Sequence, residues 1–205
     1  MSGWIAPFGA REYAQGAHAS DARDGDVLFV RHRGGIAWVI AFGQFLMSVW
    51  HRALRSTWKI DHVALVRVVP RGATWWLRDE SRYAREGEVT VAEMGFYGHE
   101  HRLLRSYAHK FYFLVRFDVA QTEVQRVADA DDCYQGSRYN FLTYVGMVAQ
   151  ALTGYAIGIA PGREAICSEA VKSCGTNVYW FDPRSSSSTP PCRLAQMLHL
   201  EQPKG

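Results

Sequence analysis

Ile166-Cys167-Ser168-Glu169-Ala170-Val171 is the stretch on which the fold turns. A loop bearing proline and glycine, Ala160-Pro161-Gly162-Arg163, runs into it, and the apolar spacing that follows predicts a helix beginning near Cys167. A thiol in the first turn of a helix lies beside backbone N–H groups that have no intrahelical partner, at the positive end of the helix dipole. That setting favours the thiolate. Cys167 is read as a nucleophile on this ground, against the plainer reading of a small buried hydrophobe. The rest of the chain decides between the two.

Ile60-Asp61-His62-Val63-Ala64-Leu65-Val66-Arg67-Val68-Val69 is β-branched and apolar after its first residues, and predicts a mostly buried strand with His62 near its start. Glu88-Val89-Thr90-Val91-Ala92-Glu93-Met94-Gly95 alternates and then stops at a glycine, which puts Glu93 at a strand end. Strand ends and helix starts are where rigid scaffolds present catalytic groups. A cysteine nucleophile needs a base, and an imidazole base needs a third group to fix its tautomer. Cys167, His62 and Glu93 supply those residue types.

Four segments, in this order, resemble the circularly permuted, YiiX-type branch of the NlpC papain-like cysteine hydrolases. They are Gly25-Asp26-Val27-Leu28-Phe29, Asp61-His62-Val63-Ala64-Leu65-Val66, Val91-Ala92-Glu93-Met94-Gly95 and Ile166-Cys167-Ser168-Glu169-Ala170-Val171. In the unpermuted enzymes the cysteine comes first. In the permuted branch the histidine strand precedes the acid and the cysteine helix comes last, as here. Thr189-Pro190-Pro191-Cys192-Arg193-Leu194-Ala195 also looks like the closing element of that branch. The resemblance implies an α+β fold in which an antiparallel sheet carrying His62 and Glu93 packs against the helix of Cys167. It implies that Cys167 is the nucleophile, His62 the general base and Glu93 the group orienting the imidazole, with no cofactor and no metal. Relatives of the superfamily cut peptide bonds in peptidoglycan stems or act on lipid acyl groups. A peptidoglycan peptide is the first expected substrate, and a lipid amide or ester the second. A third reading, of another class, is a structural or assembly component, for example of a phage particle, that keeps the fold without the chemistry.

Composition sets the frame. The chain has 205 residues, 48% of them hydrophobic and 21% charged, enough for one sizeable core and ordinary for a folded domain. It is read as a single domain, 1–205, with 1–23 as an N-terminal extension. A formal net charge of +3 is too small to call for nucleic acid, although it biases the surface toward anionic polymers and lipid head groups. Contact with a membrane surface and assembly into a virion or other particle stay open. Cys133, Cys167, Cys174 and Cys192 form neither a disulfide framework nor a zinc pair, so the thiols are expected to be free. The first residues lack a charged segment followed by an apolar core and do not read as a secretory signal. The protein is expected to be cytoplasmic as synthesised, acting at the cell envelope only after release or within a phage particle.

Between these landmarks the spacing predicts a first strand from Gly25 to about Arg31 and an apolar helix from Ile36 to Trp50. Further strands are expected at Thr74–Arg78 and Lys110–Phe117, joined with the others in an antiparallel meander, with Pro70-Arg71-Gly72 and Arg85-Glu86-Gly87 as turns. His99, Glu100, His101 and His109 are read as solvated loop residues and not as a metal cluster. A helix capped around Thr122 should reach about Tyr134. The uncharged stretch from Phe141 to Gly162 reads as a buried or membrane-facing helix followed by a loop from Gly154. It is too interrupted by polar residues and glycines for a span. Gly175 should cap the cysteine helix, Val178–Phe181 forms an apolar patch, and Ser185–Ser188 a flexible link. Thr189 and Pro190 should open a last helix running through Leu198.

Overall fold

A computed structural model describes residues 7–13, 19–31, 36–50, 57–95, 97–140, 164–165, 167–176 and 191–197, together with positions 142, 145, 146, 149 and 153. It is an α+β fold. The strands are β1 (Pro7–Tyr13), β2 (Val27–Arg31), β3 (His62–Val68), β4 (Trp76–Leu77), β5 (Arg82–Tyr83), β6 (Val89–Gly95), β7 (Gly98–Leu103) and β8 (Phe111–Phe117). They form one eight-stranded sheet in the order β1-β8-β2-β3-β6-β7-β4-β5. β9 (Arg138–Tyr139) and β10 (Glu164–Ala165) make a separate parallel pair. The helices are α1 (Ile36–Trp50), α2 (Gln121–Asp132), α3 (Cys167–Thr176) and α4 (Pro191–Met197), and Leu104–Tyr107 is a 3-10 turn.

The centre of the sheet is covered on both sides, which is why β3 reads as an almost continuous apolar run. On one face Val27, Phe29, Val63, Leu65, Ala92, Phe113 and Val115 pack against Val127 of α2, Val171 and Cys174 of α3, and Leu194 and Ala195 of α4. On the other, Leu28, Val30, Ala64, Val66, Val91, Tyr112 and Leu114 pack against Leu104 and Tyr107. Shortening any one of these large side chains to alanine should cost about 2–5 kcal/mol.

Two expectations about the sheet are corrected. It is mixed rather than antiparallel throughout, because β4 joins β7 in parallel through Leu77 and His101. Nor is it a meander: after β7 the chain returns across the sheet to pair β8 with β2 and β1. The residue pattern explains the return. Tyr112 and Leu114 are buried on one face and Phe113 and Val115 on the other, so β8 needs an interior place. The stretch expected to be an N-terminal extension supplies β1, the edge strand beside β8.

α1 has the bounds its sequence predicts, but beside the apolar Ile40 and Met47 it buries polar residues while several large apolar side chains face outward. Gln44 and Ser48 are buried, whereas Trp38, Val39, Phe42 and Val49 are exposed. Gln44 uses its whole amide. It donates to the carbonyls of Trp58 and Ile60 at 2.9 Å each and accepts from the Cys192 N–H at 2.9 Å. That ties the approach to β3, and hence to His62, to α4.

α2 starts after Ala120 with no side-chain cap, so Thr122 lies inside its first turn instead of capping it. α3 begins at Cys167 and runs past Gly175 to Thr176, so that glycine is not its cap. The expected loop at 154–162, the patch at 178–181, the link at 185–188, the cap at Thr189 and Pro190, and Leu198 lie outside the described residues. Among the described residues, no helix is long and apolar enough to cross a membrane.

Candidate active site

His62 opens β3, and the registers Val30 to His62 and Leu65 to Ala92 set the faces of β3 and β6. Side chains alternate along a strand, so His62 and Glu93 project to the same face, the one lined by Tyr107. There they meet. His62 Nε2–H donates to Glu93 Oε2, and the Tyr107 hydroxyl donates to the same oxygen. Arg102 Nε lies 2.8 Å from Glu93 Oε1, and its Nη2 lies 2.5 Å from Glu100 Oε1. Both oxygens of Glu93 are therefore engaged.

Cys167 is the first residue of α3, close enough to His62 for its sulfur to help hold the charge of the imidazole. The structure thus brings together all three residues singled out from the sequence. The cysteine is also 1% exposed, packed beside Met94 and Ala170. All four cysteines are free thiols, as expected.

The electrostatics follow from burial and pairing. Burial opposes a charge on His62, but the Glu93 carboxylate and the Cys167 sulfur outweigh it and push the imidazole up to about 10. Burial likewise opposes ionisation of Glu93, and His62, Tyr107 and Arg102 outweigh it and bring the carboxyl down to about 2. Tyr107 is raised well above its ordinary value, first by burial and then by Glu93, so it stays a donor. An imidazole held protonated is a counter-ion for a thiolate and a proton source for a leaving group.

Tyr107 and Arg102 were not singled out from the sequence. Tyr107 sits in a short 3-10 turn with no motif around it. Arg102 belongs to β7, which carried no apolar alternation to mark it as a strand.

That missed strand brings a further correction. His99 and His101 are not solvated loop residues. They lie on β7, where Met94 pairs with His99 and Ala92 with His101, on the face opposite Glu93. The His99 side chain is 3% exposed, and its Nε2 is 3.0 Å from Asp131 Oδ1. Arg67 Nη1 reaches Asp131 Oδ2 at 2.7 Å. His101 stacks on Trp75 at 4.3 Å between ring centroids, and both its ring nitrogens are buried without a hydrogen-bond partner. Burial, with His99 and Arg67 nearby, lowers His101 to about 3 and keeps it neutral. A cavity of about 640 Å³ opens here, lined by Trp75, Arg78, His99, His101 and Gln135 among others, and it does not include Cys167.

No protein-family model matches this chain, and no curated protein matches it at a significant level.

Proposed function

We propose that the protein is a cysteine-dependent acyl hydrolase, an amidase or peptidase of the permuted papain-like kind, acting on peptidoglycan stem peptides. The observation that carries this reading is the convergence of Cys167, His62 and Glu93, with the sulfur at a helix start and the imidazole bonded to the carboxylate and within electrostatic reach of the sulfur. Four motifs in permuted order bring together the three residue types that such chemistry requires.

The residues would act in sequence. Cys167 Sγ attacks the carbonyl carbon, and the oxyanion is met by a backbone N–H in the first turn of α3, where the helix leaves donors unpaired. His62 delivers its proton to the leaving amine as the C–N bond breaks. The neutral imidazole then takes a proton from water as the water attacks the thioester, and the thiolate leaves. Glu93 keeps the ring aimed throughout, and Tyr107 and Arg102 hold Glu93.

The test is hydrolysis of synthetic stem peptides by the wild type and by Cys167→Ala. New amino termini that depend on Cys167 support the reading. Intact peptides with a reactive thiol point to another acyl substrate. One observation favours a lipid amide or ester as that alternative: α1 turns Trp38, Phe42 and Val49 outward, and the sequence from 27 to 60 carries Arg31, Arg33, Arg52, Arg55 and Lys59 and no acidic residue. Flotation with anionic vesicles, lost in Phe42→Ser, would favour the lipid.

A further inference from the structure

We propose that His99, His101 and Asp131 form a binding site for one divalent transition-metal ion of the zinc type, open to the cavity beside β7. One atom from each of the three lies within 4.8 Å of the others, the single such group among the described residues. Two imidazoles and one carboxylate are a donor set suited to zinc and its first-row neighbours. With only three protein ligands, such a site keeps a position for water or another ligand.

The geometry begins with Gly98. Its φ of +107° is a conformation that side-chain-bearing residues rarely adopt, and a Cβ there would collide with the Ser137 carbonyl oxygen. The close approach lets the His99 N–H donate to that carbonyl at 3.0 Å, which brings β7 against the segment following α2 and so against Asp131. His99 Nε2 and Asp131 Oδ1 end 3.0 Å apart. Two atoms bound to one ion at about 2.1 Å sit about 3.0–3.4 Å apart. An ion would take the place of their shared proton.

His101 is the second, independent sign. Its ring is stacked on Trp75 beside the cavity, and Nδ1 and Nε2 are both buried and unpartnered. A buried polar atom without a partner costs about 1–3 kcal/mol, and a ligand bond removes that cost. The charge balance allows the ion. Arg67 lies within 4.0 Å of Asp24, Asp131 and Asp132, so three carboxylates face one guanidinium. Arg67 holds Oδ2 of Asp131 and leaves Oδ1 toward His99, the orienting role that outer partners of metal ligands play. Arg78, at the cavity wall, is paired with Glu100 at 3.4 Å.

The test uses the full chain, reduced and stripped of metal, titrated with Zn²⁺ against a chromogenic chelator, with the Co²⁺ form read by absorption. The expected result is saturable binding of one ion per chain, weakened at least about tenfold in His99→Gln and in His101→Gln and unchanged in Cys167→Ser. The Co²⁺ form should show d–d bands without a thiolate charge-transfer band. No saturable binding at micromolar Zn²⁺ overturns the proposal, as does a folded His101→Gln that keeps wild-type affinity. If His101→Gln does not fold, the wild-type Co²⁺ spectrum decides: a thiolate band places the ion on a cysteine and overturns the assignment.

Discussion

The two faces of the β6–β7 hairpin carry polar clusters of opposite character. On one face Glu93 is surrounded: His62 and Tyr107 occupy one oxygen and Arg102 the other. On the other face, one register step away, His101 has two buried ring nitrogens and no partner for either. The first network is closed and holds one side chain in one orientation, which is what a positioning device needs. The second is incomplete and keeps capacity for a ligand. A fully satisfied buried network rigidifies its members, whereas a partly satisfied one is destabilising until something completes it.

Substitutions that separate the two clusters sharpen this contrast. The largest effect belongs to Cys167→Ala, which should abolish turnover, by about 10⁴-fold or more, while leaving Zn²⁺ affinity as in the wild type. A loss of both would mean that the two clusters are one site.

Glu93→Gln comes next. Removing one partner of a buried charged pair costs about 3–5 kcal/mol. His62 titrates in the folded protein at about 10, above its ordinary 6.5, so its stabilising contribution is complete below 6.5 and is lost as pH rises through about 10. Glu93 titrates at about 2, below its ordinary 4.5, so its contribution is complete above 4.5 and is lost as pH falls through about 2. Both describe the same pair. The stability gap between wild type and Glu93→Gln, measured by denaturant melts, should be widest from about pH 4.5 to 6.5 and narrow toward 10. The alkaline fall of kcat/KM should move from near 10 in the wild type down toward 6.5 in the variant.

Gly98→Ala acts on the other cluster. It forces a strained φ and pushes against the Ser137 carbonyl, at a cost of about 1–3 kcal/mol. Zn²⁺ affinity should fall and the reactivity of Cys167 should not. Tyr107→Phe has the smallest effect on turnover of the changes around Cys167, His62 and Glu93. It removes one of three partners of Glu93, lowers stability by about 1.5–3 kcal/mol and reduces kcat by about tenfold or less, as thermal melts and initial rates would show.

On the closed face His62 and Glu93 were legible in the sequence, and the open face was not, for a physical reason. His62 and Glu93 sit on strands whose other residues are apolar on at least one side, so periodicity marks the strands and parity aligns the two groups. β7 has polar groups on both faces, Glu100 and Arg102 toward Glu93 and His99 and His101 toward Asp131, so no alternation survives to mark it. One signal was available. Arg67 interrupts an otherwise apolar strand, and a buried guanidinium requires a carboxylate, which α2 supplies as Asp131. The strand order was less legible still, because β8 takes its interior place through contacts on both of its faces.

The most direct test of the central claim is the pH dependence of iodoacetamide labelling at Cys167, read by peptide mass spectrometry in the wild type and in His62→Ala. A sulfur paired with a protonated imidazole should label readily near pH 6 and lose that reactivity in the variant. The sulfur is almost fully covered, so the experiment also asks whether a small electrophile reaches it. Labelling only above about pH 8 in both proteins, the behaviour of an ordinary thiol, or no labelling in the folded wild type, would contradict the assignment of Cys167 as a nucleophile.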